Sequence, residues 1–171
     1  MKSPPSSHTR PTSDRLRETL FNILAPRIDE ETRFLDLCSG TGAVGIEALS
    51  RGAGHATFVD KSRKSCALIE ENLDLLEIPE ADTEVVQSDA EEFLRKTEDS
   101  FDIIYFDPPY RDDYRLVLYL FGDPDSKLLA PGGVVIAERH GKNELPDLTG
   151  ELRRWRMLKQ GESVLSFYER A

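Results

Sequence analysis

Phe34-Leu-Asp-Leu-Cys-Ser-Gly-Thr-Gly-Ala-Val-Gly45 sets the architecture of this chain. Phe34 to Cys38 reads as a strand, Gly40, Gly42 and Gly45 keep a Gly-x-Gly-x-x-Gly spacing, and a helix opens at Ala43. Glycines let the backbone turn sharply and approach a ligand closely, so strand, loop and helix form a cradle for a nucleotide-like molecule. Asp60 follows Gly40 by twenty residues, at the end of the next strand, where its carboxylate can accept hydrogen bonds from ribose hydroxyls. Dinucleotides and S-adenosylmethionine both carry that ribose, and these residues alone do not choose between them.

On either side the pattern alternates. Strands are predicted near 34–38, 56–60, 84–88, 102–106 and 133–138, with helices near 43–51, 63–77, 90–96 and 113–121. That order predicts a right-handed, doubly wound, mostly parallel sheet, a Rossmann-like α/β architecture. Gly52 suits the C-terminal cap of the first of these helices, and Pro79 follows the second. Trp155, Met157 and Leu158, then Gln160-Gly161, then Val164, Leu165, Phe167 and Tyr168 predict an antiparallel hairpin at the sheet's edge. At the other end Thr12 and Ser13 are N-cap residues, and Leu16, Leu20, Phe21, Ile23 and Leu24 make one apolar helical face that Pro26 ends. Residues 1–10 have little to bury and read as a mobile arm. The expected division is 1–28 as arm and helix and 29–171 as one α/β domain.

Phe101-Asp-Ile-Ile-Tyr-Phe-Asp-Pro-Pro-Tyr110 is the fourth strand and its tip. The apolar run suits a strand covered on both faces, and prolines cannot continue a central ladder because they lack the N–H. In a doubly wound sheet, ligands sit beyond the carboxyl ends of strands where strand order reverses, here between the first and fourth strands. Strands lie about 4.8 Å apart, so Asp107 to Tyr110 should flank the glycine loop. An amine methyltransferase has a use for each part. The lone pair of an aromatic amine is delocalised into its ring; if the Asp107 carboxylate and Pro108 carbonyl accept its N–H bonds, the nitrogen is pushed toward sp3 geometry and can attack a sulfonium methyl. Tyr110 offers a face on which a flipped-out base can stack.

The 171 residues suit one domain, and no apolar run approaches a membrane span. Two cysteines make no disulfide framework and no secretory signal is evident, so a cytoplasmic setting is expected. The three histidines are scattered and form no ligand spacing with the cysteines, so no metal is expected. Net charge is −10, but residues 1–28 carry five basic against two acidic residues and residues 139–171 seven against five. An acidic body with basic ends could hold a polyanion on one face.

Three segments then point to a family. Arg10-Pro-Thr-Ser-Asp-Arg-Leu-Arg-Glu-Thr-Leu-Phe-Asn22, Leu35-Asp-Leu-Cys-Ser-Gly-Thr-Gly-Ala-Val-Gly-Ile-Glu-Ala-Leu-Ser-Arg-Gly52 and Asp107-Pro-Pro-Tyr110 closely resemble the bacterial RsmD-type methyltransferases. The resemblance covers nearly the whole chain from Arg10. It implies a class I methyltransferase fold and transfer of methyl from S-adenosylmethionine to the N2 amine of a guanine in small-subunit ribosomal RNA. It further implies cofactor contacts from Asp36, Ser39, Gly40, Thr41, Gly42, Asp60, Lys61, Asp89 and Ala90, and catalysis by Asp107, Pro108, Pro109 and Tyr110. RNA phosphates are expected at Arg10, Thr12, Arg15 and Arg17, the alternative for Arg15 and Arg17 being ion pairs with Asp14 and Glu18 on a solvated helix face. Family members open with an Arg- and Gly-rich segment where this chain has Met1 to Thr9, which predicts fewer phosphate contacts. A monomer acting on an assembled ribosomal particle is the expected state, since no separate recognition domain is present.

Other readings are an adenine-N6 DNA methylase, disfavoured because nothing is large enough to read a DNA sequence, a dinucleotide-dependent oxidoreductase, and a non-catalytic nucleotide-binding module. Cytosine-C5 chemistry is disfavoured because neither Cys38 nor Cys66 stands beside a proline.

Overall fold

Phe34, Leu35 and Leu37 of β1 (Arg33–Leu37) are fully buried, pointing alternately to the two faces of a central strand. The computed structural model describes residues 11–108, 112–140 and 144–171, with side chains beginning at Asp14 in the first helix and at Tyr114 in the fifth. Around β1 stand β2 (His55–Asp60), β3 (Thr83–Gln87), β4 (Phe101–Phe106), β5 (Leu129–His140), β6 (Leu148–Thr149), β7 (Leu152–Gln160) and β8 (Ser163–Arg170). They form one sheet in the order β3-β2-β1-β4-β5-β8-β7-β6. The first five are parallel; β8 pairs antiparallel with β5, and β7 with β8.

Helices α1 (Pro11–Leu24), α2 (Ala43–Ser50) and α3 (Arg63–Leu75) cover one face, contributing Leu16, Leu20, Phe21, Ile46, Ile69 and Leu73 to a core with Phe34, Phe58 and Ile136. Helices α4 (Ala90–Lys96) and α5 (Asp112–Gly122) cover the other, where Phe93, Leu94, Leu118 and Phe121 pack on Leu35, Leu37 and Phe106. Each large apolar side chain fully buried here contributes about 1.5–3 kcal/mol. Arg27, just past α1, donates to the carbonyl of Gly132 near the start of β5, and Arg51 at the end of α2 stacks on Phe21 and donates to Asn22. The C-terminal end of α1 therefore lies at the amino edge of the parallel strands, and its N-terminal end at the carboxyl edge.

The predicted strands and helices stand within a few residues of their expected places, with two differences. β5 begins at Leu129, because Phe101 pairs with Leu129 and Ile103 with Val134, and the extra residues, Pro131 and Gly132 among them, bulge out of the ladder. β8 of the C-terminal hairpin joins the sheet directly beside β5, and a short β6 extends the hairpin's far edge. The arm at 1–10 lies outside the described residues. No helix among the described residues is long and apolar enough to cross a membrane.

Candidate active site

The loop from β1 to α2 is shaped by backbone that few residues adopt: Cys38 has φ 67°, Gly40 φ 56° and Gly42 φ 81°. Gly42 is the N-cap of α2, and Gly45 brings that helix onto β2, since a Cβ there would stand 2.4 Å from the Phe58 ring. Asp36 sits beneath, buried, with its Oδ2 accepting the Gly45 amide at 2.9 Å. Burial raises its pKa to about 7, the Gly45 bond opposes this, and the nearby Asp60 charge adds to it. Ser39 binds the loop to β2, its Oγ donating to the Asp36 carbonyl and accepting the Val59 amide. Buried Asn72 donates to the Thr41 carbonyl, and the Thr41 hydroxyl accepts the Ala43 amide.

Asp60 ends β2. Its Oδ2 accepts the Gly40 amide at 3.0 Å and its Oδ1 the Ser62 amide at 2.9 Å, so the acid is held at the mouth of the loop with lone pairs to spare. Asp89 caps α4 through the Glu92 amide at 2.7 Å. Between these strand ends and β4 lies a crevice of about 660 Å³, a size typical of small-molecule sites. Cys38, Asp60 and Lys61, Asp89 and Ala90, Asp107 and Pro108, and His140 line it, each set from the carboxyl end of a different parallel strand or the turn after it.

Of the expected residues, Asp60, Lys61, Asp89, Ala90, Asp107 and Pro108 line the crevice; Asp36, Ser39, Thr41 and Gly42 build the loop at its rim. Gly40 faces open space, with nothing within 4 Å of where a Cβ would stand. Arg10, Pro109 and Tyr110 lie outside the described residues, as does the Thr12 side chain. Arg17 pairs with Asp14 at 3.1 Å, whereas Arg15 is exposed and makes no ion pair among the described residues.

Glu138 and His140, at the end of β5, are residues the sequence reading left out. Phe106 pairs with Ala137, which sets Glu138 beside Asp107 on the α1 face. The His140 Nε2 lies 3.2 Å from Glu138 Oε2 and 3.9 Å from Asp107 Oδ1. Ligand-type atoms of Asp107, Glu138 and His140 fall within 4.8 Å of one another, a convergence hidden by their sequence separation. Tyr105 donates its hydroxyl to Glu138 Oε1, and Tyr114 donates to the Glu138 carbonyl. The Asp107 pKa is pushed up to about 8, first by burial and then by the charge of Glu138, with His140 acting against both. The available signal was the apolar run Val134 to Ala137 stopping on Glu138-Arg-His140, the same pattern that marks the tip of β4.

Sheet order, glycine loop and crevice together define the class I methyltransferase fold. Residues 1–169 match the family described as "Conserved hypothetical protein 95", and the chain belongs to that family. YlbH of Bacillus subtilis is 35% identical over 99% of this chain and 92% of its own length. Ribosomal RNA small subunit methyltransferase D of Escherichia coli is 35% identical over 98% of this chain and 82% of that protein. The solved structure of Escherichia coli yhhF superposes with a TM-score of 0.85 at 32% identity, covering 99% of this chain and 90% of that one.

Proposed function

We propose that this protein transfers a methyl group from S-adenosylmethionine to the exocyclic N2 amine of a guanine in small-subunit ribosomal RNA. The observation that carries the reading is the position of Asp107 and Pro108: an acid and a proline at the end of β4, beside the glycine loop and in one crevice with Asp60 and Asp89. The identity to the small-subunit methyltransferase of Escherichia coli, over nearly the whole chain, supports the choice of substrate.

The crevice suits this cofactor by its charge. Asp60, Asp89 and Glu91 line it against one lysine, so a cationic sulfonium is favoured there and the pyrophosphate of a dinucleotide is repelled. Asp60 would hold the ribose and Asp89 with the Ala90 amide the adenine. When bound, S-adenosylmethionine supplies a methyl whose bond to sulfur breaks as the nitrogen's lone pair takes it. Asp107 and the Pro108 carbonyl orient the amine by accepting its N–H bonds, and Tyr110 stacks the base. Exposed Arg15 and the N-terminal end of α1, on the same sheet face and edge as Asp107, meet RNA phosphates. Residues 1–28 serve as arm and helix to a single catalytic domain at 29–171, which acts as a metal-free monomer in the cytoplasm on an assembled particle.

A thermal-shift comparison tests the cofactor. S-adenosylhomocysteine at a hundredfold over its Kd adds about 2.7 kcal/mol of stability, while NAD adds none. Stabilisation by NAD alone would return the chain to the oxidoreductase reading.

A further inference from the structure

We propose that Glu138 and His140 form the exit route for the proton that the amine loses on methylation, taking it over from Asp107 and delivering it to solvent. The proposal rests on the amine-transfer reading above. As the N–C bond forms and the S–C bond breaks with its electron pair left on sulfur, the positive charge passes to the nitrogen, which still holds both hydrogens. One must leave as a proton to restore a neutral amine. Base and cofactor fill the crevice at that moment, so a path through the protein is needed.

The end of β5 provides it. Glu138 stands beside Asp107, and its Oε1 is already occupied by the Tyr105 hydroxyl, which leaves Oε2 to face the His140 Nε2 at 3.2 Å. The other ring nitrogen, Nδ1, lies 3.0 Å from the Ser163 hydroxyl on β8. An imidazole so held can accept a proton at Nε2 and release one from Nδ1 without turning. His140 is the member most open to solvent: its side chain is 57% exposed, against 33% for Asp107 and 15% for Glu138. Ionised Asp107 can receive the amine's proton and pass it through Glu138 to His140, since one ligand-type atom of each of the three lies within 4.8 Å of the others. The other groups facing the cluster are Asp36 on β1, Tyr105 on β4 and Tyr114 on α5, while Arg139, between Glu138 and His140 on β5, points to the opposite face and acts on Tyr114. The tyrosines remain protonated, since burial raises both of their pKa values, and act as donors. A purely structural role, tying β4 to β5, would need neither an exposed imidazole nor a carboxylate pair.

Glu138→Gln keeps the Tyr105 contact, and His140→Ala changes a side chain more than half exposed, so both variants should fold. Without substrate, carboxyl NMR of Asp107 follows the coupling: Glu138→Gln moves its titration to lower pH and His140→Ala moves it higher. Single-turnover transfer from bound cofactor then reads the relay. His140→Ala slows transfer about tenfold or more, cofactor affinity is unchanged, and added imidazole restores the rate in proportion to its neutral form. Absence of both NMR shifts overturns the proposal, as does an unslowed His140→Ala enzyme or one that imidazole does not rescue. Methyl found on another amine would defeat the guanine assignment, and the relay would be judged on the amine used.

Discussion

Asp107 must be ionised to accept two strong hydrogen bonds from an amine, and its surroundings oppose that. Burial and Glu138 hold its pKa near 8, so kcat/KM should rise with pH through neutrality and level off above about 8; a profile that falls across that range would contradict the assigned role. Asp107→Ala should reduce transfer at least about a thousandfold while cofactor affinity, measured by calorimetry, changes only a few-fold. Asp36 makes the matching prediction for stability. Its folded pKa of about 7 lies above the unfolded value, so the native state keeps a proton that the unfolded chain has released. Its contribution is therefore complete below pH ~4 and lost as pH rises through ~7, an effect on the order of 4 kcal/mol. Asp36→Asn should flatten the stability curve between those limits, and urea titrations at several pH values measure it. At this scale Asp107 and Asp60 were legible because each ends an apolar strand at a fixed offset from a recognisable loop. Glu138 and His140 were not, since their importance comes from the pairing of β5 with β4, which no spacing along the chain records.

Among the elements, α2 depends on the closeness of its approach to β2. Gly45→Ala places a methyl within 2.4 Å of the Phe58 ring, which is fully buried. The helix must move outward, with a loss of about 1–3 kcal/mol by denaturant unfolding and weaker cofactor binding through the displaced loop. An unchanged stability would mean that Phe58 yields at no cost. For α1 the question is partner rather than packing: Arg15→Glu should weaken RNA binding several-fold and reduce its salt slope by about one, with cofactor affinity unaltered. The parallel strands and their helices were readable from alternation, because each strand buried on both faces is a short apolar run. The start of β5 was not, because Pro131-Gly132-Gly133 reads as a breaker while forming a bulge inside the strand. The two residues of β6 were too short to carry any period.

For the whole molecule, the net charge of −10 suits the cofactor crevice better than it suits RNA, which must be met by particular basic residues rather than by the overall field. RNA binding is thus expected to be local and strongly salt-dependent. Asp107 and Glu138, side by side at the ends of β4 and β5, with His140 beyond them and Asp36 one step back on β1, level with Tyr105, make the sheet's carboxyl edge the working surface. The measurement that bears most directly on the account is transfer of labelled methyl to unmodified small ribosomal subunits, naked ribosomal RNA and duplex DNA in parallel, followed by nucleoside analysis. Label in N2-methylguanosine from the subunits or the RNA is the predicted result. Label confined to N6-methyladenine in DNA, or no label despite cofactor binding, would contradict it.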